Sequence, residues 1–185
     1  MRKWFKRLVI ALVLIVVILI GGGWWFLSYI APQETLDLSY EQIDVKEKAI
    51  SMVKRFKPEL ILTEADINNL IKMQLQDGAA NSTLPPGVTL DGARFELNGD
   101  LLLAHLNVTY KGRIPAAILV TYQMKWENPN VIIAPISMDM KGIALPQDTL
   151  EPFIISLDLT VQDLVSVGDV RFEEDRMIIK LQMNL

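Results

Sequence analysis

Apolar residues occur along the chain in three arrangements: one unbroken run, two stretches at helical spacing, and several stretches that alternate with polar residues. The unbroken run covers Leu8 to Ile30, in which no side chain is charged. These 23 residues would form a helix roughly 34 Å long, which is enough to cross a hydrocarbon layer of about 30 Å. The run therefore predicts a transmembrane helix over residues 8–30.

Two later stretches begin with sequences that are typical of helix starts. Ser39 and Gln42 match a capping box, in which two side chains bind the free backbone groups of the first turn. Thr63 and Asp66 match a second box. The apolar segment Leu60 to Leu62, just before this second box, indicates a short strand. We therefore expect one helix to begin at Ser39 and another at Thr63.

From Val88 onward, apolar and polar residues alternate, which is the pattern of a strand with one buried face. Two alternating segments, residues 88–97 and 101–110, flank the pair Asn98-Gly99. This pair favours a tight hairpin turn because it supplies positive φ angles. The sequence Asn128-Pro129-Asn130 predicts a further turn between two more alternating segments.

These further segments are unusually long. Arg113 to Trp126 spans 14 residues, or roughly 46 Å as a strand, whereas typical strands have about five or six residues. An ordinary core does not require strands of this length, so we expect the apolar face to form an elongated groove. The alternative is that the same face packs fully on helices, which would produce the same alternation of residues. The residues expected to line the groove are Leu102, Leu106, Val108, Tyr110, Ile114, Ile118, Val120, Tyr122, Met124, Trp126, Ile132, Ile136, Met138 and Met140.

Two patterns compete in the last part of the chain. Asp148 and Glu151 resemble a helix start, and apolar residues from Leu150 to Leu164 fit one helical face, which favours a helix. The segment ISLDLTV within this stretch also alternates like a strand, so residues 155–166 are left open between the two. Residues 170–172 and 176–183, joined by an acidic turn, predict a final hairpin.

The predicted fold class is α+β, with an N-terminal transmembrane helix followed by a long-stranded, curved antiparallel β-sheet packed with amphipathic helices.

The distribution of charge predicts the orientation of the transmembrane helix in the membrane. The chain has 18 basic residues, four of which precede Leu8, and the remaining 14 face 22 acidic residues, a net charge of −8. By the positive-inside rule, residues 1–7 form a cytoplasmic basic tail, residues 31–38 a linker, and residues 39–185 an extracytoplasmic domain at the cell membrane.

A cleaved signal peptide is the alternative to a permanent anchor, because both begin with basic residues and an apolar run. The best small-residue cleavage site ends at Ala31. Tyr29 and Pro32 flank this site, and neither suits signal peptidase. We therefore expect an uncleaved signal anchor that crosses the membrane once.

The composition argues against most chemistry. An acidic domain would be repelled by nucleic acid, so no nucleic-acid partner is expected. The chain has no cysteine, which excludes disulfides, thiolate nucleophiles and cysteine metal sites. His105, the single histidine, falls on the polar face of its strand. There is no GxSxG elbow or phosphate-binding glycine loop. We expect no catalytic residue, no metal, no cofactor and no enzymatic activity.

Two segments, LILTEADINNLI at residues 60–71 and ISMDMKGIALP at residues 136–146, resemble the YpmS-like family. This resemblance implies a membrane-anchored protein of Gram-positive bacteria, with an N-terminal helix and no established activity. More distantly, the strand that leads into residues 60–71 is similar to the opening of small tubular lipid-binding (TULIP or SMP-like) domains. That similarity implies an apolar tunnel and acyl-chain binding, and it transfers no catalytic residue.

Two hypotheses of function follow. In the first, the domain binds a lipid or another apolar ligand in the groove and acts as a non-catalytic carrier or chaperone, with the membrane and an acyl chain as its partners. In the second, the groove is a fully packed core, and the domain is an interaction or scaffold module for another envelope protein. An elongated cavity of several hundred Å³ would favour the first hypothesis.

Overall fold

The computed structural model describes residues 2–44, 48, 59–76, 84–146, 150–157 and 165–183. In chain order, the elements are α1 (Arg2–Ile30), β1 (Glu59–Thr63), α2 (Glu64–Gln74), β2 (Val88–Asn98), β3 (Leu101–Tyr110), β4 (Ile114–Glu127), β5 (Asn130–Met140), β6 (Ile143–Ala144), β7 (Phe153–Ser156), β8 (Val165–Glu173) and β9 (Arg176–Met183). The fold is α+β, as predicted: an apolar N-terminal helix precedes a curled antiparallel half-barrel and a short helix.

The apolar run lies in α1. Its segment Val9–Ile30, 22 residues long, is sufficiently long and apolar to cross a membrane. The side chains of residues 9–29 are exposed, as expected for a segment that contacts lipid. The predicted span of residues 8–30 agrees with this candidate membrane segment.

The strands form two antiparallel sheets. The larger sheet has the order β2-β3-β4-β5-β6, and β7 pairs with the free edge of β5. The smaller sheet has the order β1-β9-β8, so it joins strands from the two ends of the domain. Leu60 and Ile179, which are paired in the smaller sheet, are fully buried against the inner face of the larger one. The main core therefore lies between the sheets.

The hairpin between β2 and β3 confirms the predicted turn with a shift of one residue. Asn98 is paired with Leu101, so the two loop residues are Gly99 and Asp100. Only Gly99 has a positive φ angle, +62°, as in a type II′ turn. Asn98 therefore ends the strand instead of entering the turn.

The helix expected at Thr63 is confirmed. The Asp66 amide donates to Thr63 Oγ1 at 3.3 Å, and the Thr63 amide donates to Asp66 Oδ2 at 2.9 Å, which completes the capping box. Burial acts to raise the pKa of Asp66, but hydrogen bonds from Lys48 and Thr63 outweigh it and lower the pKa. The box therefore contains a charged carboxylate, which the helix dipole also stabilises.

The helix start expected at Ser39 is wrong. Residues 39–44 are irregular, whereas Lys48, the only further residue of the predicted helix among the described residues, is helical, and its amide donates to the Asp44 carbonyl at 3.0 Å. Both the amide and the hydroxyl of Ser39 donate to Asp37 Oδ1, at 2.9 and 2.6 Å. Ser39 thus lies in an irregular segment in which its side chain binds Asp37, and no helix begins there for it to cap.

The helix expected from Leu150 is also wrong for the described residues of that stretch. Residues 150–152 are irregular, and Phe153–Ser156 forms β7, which pairs with residues 130–133 of β5. The free edge of β5 supplies backbone partners that a local pattern does not reveal. Residues 147–149 and 158–164 lie outside the described part of the chain. The final hairpin, β8 and β9, is confirmed.

Candidate functional site

A cavity of about 510 Å³ lies against the inner face of the larger sheet. This volume is within the range of about 300–1,000 Å³ that is typical of small-molecule pockets. The sheet, α2 and the segment 150–156 contribute its walls. The cavity is lined by Ile71, Gln74, Leu75, Leu84, Leu90, Phe95, Leu102, Ala104, Leu106, Tyr122, Ile133, Leu150, Glu151, Phe153, Ile154, Ile155 and Ser156.

The wall formed by α2 is held in place by hydrogen bonds to an edge strand. β2 is the outermost strand of its sheet, so alternate backbone amides point away from β3. Two of these amides, of Phe95 and Leu97, donate to Asn68 Oδ1 at 3.0 Å and to Glu64 Oε2 at 2.9 Å. Both acceptors are side chains of α2. The helix therefore covers the open edge and directs part of its apolar surface into the cavity.

The opposite wall is formed by β7. Phe153 lies directly opposite Ile133 on β5, and its ring centroid is 5.7 Å from that of Tyr122, with the planes tilted by 52°. Phe153 is still 43% exposed, so it borders the cavity without being fully packed. Pairing of β7 with β5 thus places an aromatic side chain at the margin of the site.

Tyr122 is the buried polar residue of the lining. Its side chain is 6% exposed, and burial raises its pKa to about 12 because the phenolate would lose hydration. The hydroxyl is therefore neutral near pH 7. It makes no hydrogen bond within the described structure. Tyr122 supplies one unused hydrogen-bond donor within an otherwise apolar wall.

The other polar residues of the lining lie at its margin. Gln74, Glu151 and Ser156 are all exposed, whereas the apolar side chains contributed by β2 and β3 are buried or half-buried. The cavity thus has an apolar interior and a polar margin. Such a distribution suits a molecule with a hydrocarbon part and a polar end.

The structure distributes the fourteen predicted lining residues over four environments. Leu102, Leu106 and Tyr122 line the cavity. Val120, Met124, Trp126 and Met138 pack into the core between the two sheets. Val108, Ile114, Ile118 and Met140 lie in a second apolar cluster near the end of α1. Tyr110, Ile132 and Ile136 lie in none of these apolar groups.

The prediction of one continuous apolar face in β5 is wrong because the strand contains a bulge. Tyr122 is paired with Pro135, but Thr121 is paired with Ser137, so Ile136 is an extra residue. Before the bulge, Ile132 is paired with Lys125 on the outer face. After the bulge, Met138 returns to the inner face. Pro135 was the local signal, because proline within a sheet is found mainly at bulges and edges.

The second apolar cluster receives the end of α1. Ile30 is 4% exposed and packs with Val108 and Ala116, and the Tyr29 hydroxyl donates to the carbonyl of Lys141 at 2.9 Å. Leu90 and Leu106 contact this cluster and also line the cavity. The cavity lining and the cluster that contains the end of α1 therefore share two side chains, those of Leu90 and Leu106.

The segment predicted as a linker is bound along the same edge of the sheet as α2. We call residues 34–38 the strap. The Ala93 amide donates to the Asp37 carbonyl at 3.2 Å, and Asn107 Nδ2 donates to the Glu34 carbonyl at 2.7 Å. Hydrogen bonds from Ser39 lower the pKa of Asp37, and Lys72 lies 3.5 Å away. The strap thus connects α1 to the domain through hydrogen bonds, an arrangement that the polar sequence did not reveal.

The ionisable groups predicted to be non-catalytic lie away from the cavity lining. His105 Nε2 lies 3.4 Å from Glu96 Oε2 on the outer face of the sheet, and Arg176 contacts Glu173 and Asp175 in the acidic turn, both at 3.1 Å. In the described ranges, no three His, Asp or Glu side chains are placed to share a metal ion.

Comparison of the chain with protein-family models, curated proteins and solved structures finds no match.

Proposed function

We propose that this protein is a single-pass membrane protein whose extracytoplasmic domain binds a lipid or another apolar ligand in the cavity. It shields or transfers this ligand without covalent chemistry. The observation that carries the proposal is the cavity of about 510 Å³ and its mainly hydrocarbon lining. Transfer of an apolar chain from water into such a space is favourable because it removes hydrocarbon surface from water.

The position of the cavity supports a ligand that comes from the membrane. Ile30, the last residue of the candidate membrane span, is buried in the cluster that Leu90 and Leu106 share with the cavity lining. The nearest abundant apolar solute is therefore membrane lipid. The four basic residues before the span favour a cytoplasmic N-terminus, which places the domain on the outer side. The resemblance to the YpmS-like family agrees with an envelope location in Gram-positive bacteria.

The polar groups of the site support an amphipathic ligand. The neutral Tyr122 hydroxyl is suited to donate a hydrogen bond to an ester or carboxyl oxygen, since its partner position is unoccupied among the described groups. Gln74, Glu151 and Ser156 at the exposed margin are suited to contact a polar end. An acyl chain in the interior with its polar end at the margin would satisfy both regions.

Photocrosslinking of the full chain in nanodiscs would test this proposal. A photoactivatable fatty acid should label residues of α2, β3 and 150–156, whereas lipid that merely surrounds the span should label only α1. Ala104→Phe adds a large side chain to the lining and should abolish labelling of the cavity while leaving that of α1 unchanged. Ala134→Phe, on the outer face of β5 opposite Gln123, is the matched control. Absence of cavity adducts in the natural protein would refute the proposal.

The second candidate function is an interaction module for another envelope protein. The observation in its favour is the exposed apolar surface of β5 at its bulge, where Ile136 is 44% exposed and belongs neither to the cavity lining nor to the packed clusters. A photocrosslinking residue at position 136 should then capture a protein neighbour in cells, whereas the same residue at Lys180 should not. Capture at both positions, or at neither, would contradict this alternative.

A further inference from the structure

The basic side chains of the domain fall into two groups. Of the ten basic residues beyond α1 that the structure describes, six lie within 3.5 Å of a carboxylate oxygen, namely Lys48, Lys72, Arg94, Lys125, Arg171 and Arg176. Beyond α1, the basic residues that form no ion pair among the described residues are Lys111, Arg113, Lys141 and Lys180. The first three of these lie at the same end of the larger sheet. Within the described ranges, unpaired positive charge is therefore concentrated at this end of the sheet.

We call this end of the domain the basal surface, formed by the turns at residues 85–88, 110–114 and 140–143. No acidic residue lies within these three ranges, and the one acidic side chain bonded to them in the described structure is Asp139, whose Oδ1 accepts a hydrogen bond from the Gly142 amide at 3.1 Å, so the three cations still exceed the acidic charge there. The Lys111 amide donates to the Gly87 carbonyl at 2.6 Å, which joins the first two turns. Lys111 Nζ lies 5.1 Å from the centre of the Tyr110 ring. The surface combines free cations with exposed apolar groups, because Tyr110 is 41% and Ile143 39% exposed.

The basal surface adjoins the end of the candidate membrane span. Tyr29 donates its hydroxyl hydrogen bond to Lys141, within the third basal turn, and Ile30 packs beside the strands that lead into the second. Tyr29 also stacks on Trp25, with ring centroids 5.7 Å apart. Aromatic residues in this position are typical of the boundary between hydrocarbon and headgroups. The basal surface is thus close to the level of the lipid headgroups.

We infer that the basal surface binds the phosphate groups of anionic phospholipids in the membrane that α1 crosses. The chain after the span has a net charge of −8, so an anionic bilayer would repel most of the domain. Three unpaired cations at the one end beside the span would reverse this repulsion locally and orient the domain. Each basic residue at such a surface is expected to favour the docked state roughly fivefold. This inference does not depend on ligand binding in the cavity.

The full chain in nanodiscs allows a direct test, because the absence of cysteine permits labelling at one introduced site. A fluorophore on Ile143→Cys would report approach to headgroups through quenching by a headgroup-spin-labelled lipid. A fluorophore on Asn98→Cys, at the opposite end of the sheet, is the reference. Quenching at residue 143 should rise when phosphatidylglycerol is added to phosphatidylcholine, and added salt should reduce this rise. Quenching at residue 98 should stay low.

Charge variants separate headgroup binding from simple proximity to the span. The triple variant Lys111→Gln, Arg113→Gln, Lys141→Gln should lose the dependence on phosphatidylglycerol. The control triple variant Lys125→Gln, Arg171→Gln, Lys180→Gln removes the same charge elsewhere and should retain it. Replacement of Lys111 and Lys141 by arginine should also retain it, which guards against a misfolded triple variant. Equal quenching in both lipid mixtures, or full retention by the basal triple variant, would overturn the inference.

Discussion

Replacement of Gly92 by alanine is expected to detach the strap from the sheet. The bulge between Leu90 and Gly92 brings the β2 backbone close to the strap, and a Cβ atom at residue 92 would overlap with the carbonyl group of Leu36. Both partners in this clash are part of the main chain. Rotation of a side chain cannot relieve it, so the strap itself must move away.

The cost can be worked out from the contacts that hold the strap. Displacement would break the bonds from Ala93 to Asp37, at 3.2 Å, and from Asn107 to Glu34, at 2.7 Å. Each such bond contributes about 1 kcal/mol, and the amide of Asn107, which is only 7% exposed, would cost about 1–3 kcal/mol if left unpaired. Partial access of water to the broken hydrogen bonds reduces the sum of these terms. We therefore expect the free energy of unfolding to fall by about 3 kcal/mol. For a domain of this size, that corresponds to a decrease in Tm of roughly 6–12 °C.

Thermal unfolding of the full chain in detergent, followed by near-UV circular dichroism, would measure this decrease. Hydrogen exchange at the Ala93 amide should accelerate in the same variant, because that amide would lose its acceptor. Gly22→Ala is the matched control: nothing lies within 4 Å of a Cβ atom there, and alanine favours the helix. If Gly92→Ala had the Tm of the natural protein and slow exchange at Ala93, the strap would not be held as argued.

Three further predictions concern the core and two titrating groups. Leu60→Ala removes a fully buried side chain between the sheets and should cost about 2–5 kcal/mol in chemical denaturation, whereas the half-exposed Ile61→Ala should cost much less. Because the pKa of Tyr122 is raised to about 12 from 10.0, stability should fall as pH rises through this interval, and Tyr122→Phe should flatten that part of the profile. The pKa of Asp66 in the folded protein lies below its ordinary value of 3.8. The carboxylate should therefore stabilise the fold above that pH, and this stabilisation should be lost as acid protonates the carboxylate. Asp66→Asn should therefore reduce the acid dependence, and an unchanged acid profile would contradict this role.

The features predicted correctly from the sequence are those that local chemistry determines. The uncharged apolar run, the box at Thr63 and the turn at Gly99 each depend on residues within a few positions of one another. The two similar capping boxes show the limit of such reasoning. Thr63 follows a strand and has extended backbone angles, φ −74° and ψ 166°, which suit an N-cap. Ser39 instead donates to the neighbouring Asp37.

The features that were missed depend on distant partners. Phe153–Ser156 is a strand because β5 presents a free edge, and the pairing of Leu60 with Ile179 joins the two ends of the domain. The bulge at Ile136 changes which residues face inward, so half of β5 was assigned to the wrong face. The lining contributed by the helix after Thr63 was also missed, because local sequence predicts the helix but not that Ile71 and Leu75 would border a cavity formed with distant strands.

The packed core and the cavity share one apolar face of the larger sheet. Leu97 and Met124 belong to the core with residues of the smaller sheet, whereas Leu106 lines the cavity with residues of α2 and β7. Alternation of apolar residues is the same in both regions, so sequence cannot distinguish a packed surface from an open one. β4 has 14 residues, and its apolar face runs from the core, where Met124 packs, to the second apolar cluster, where Ile114 packs. This length carries the apolar face of the sheet to the end of α1, where Leu90 and Leu106 belong both to the cluster around Ile30 and to the cavity lining.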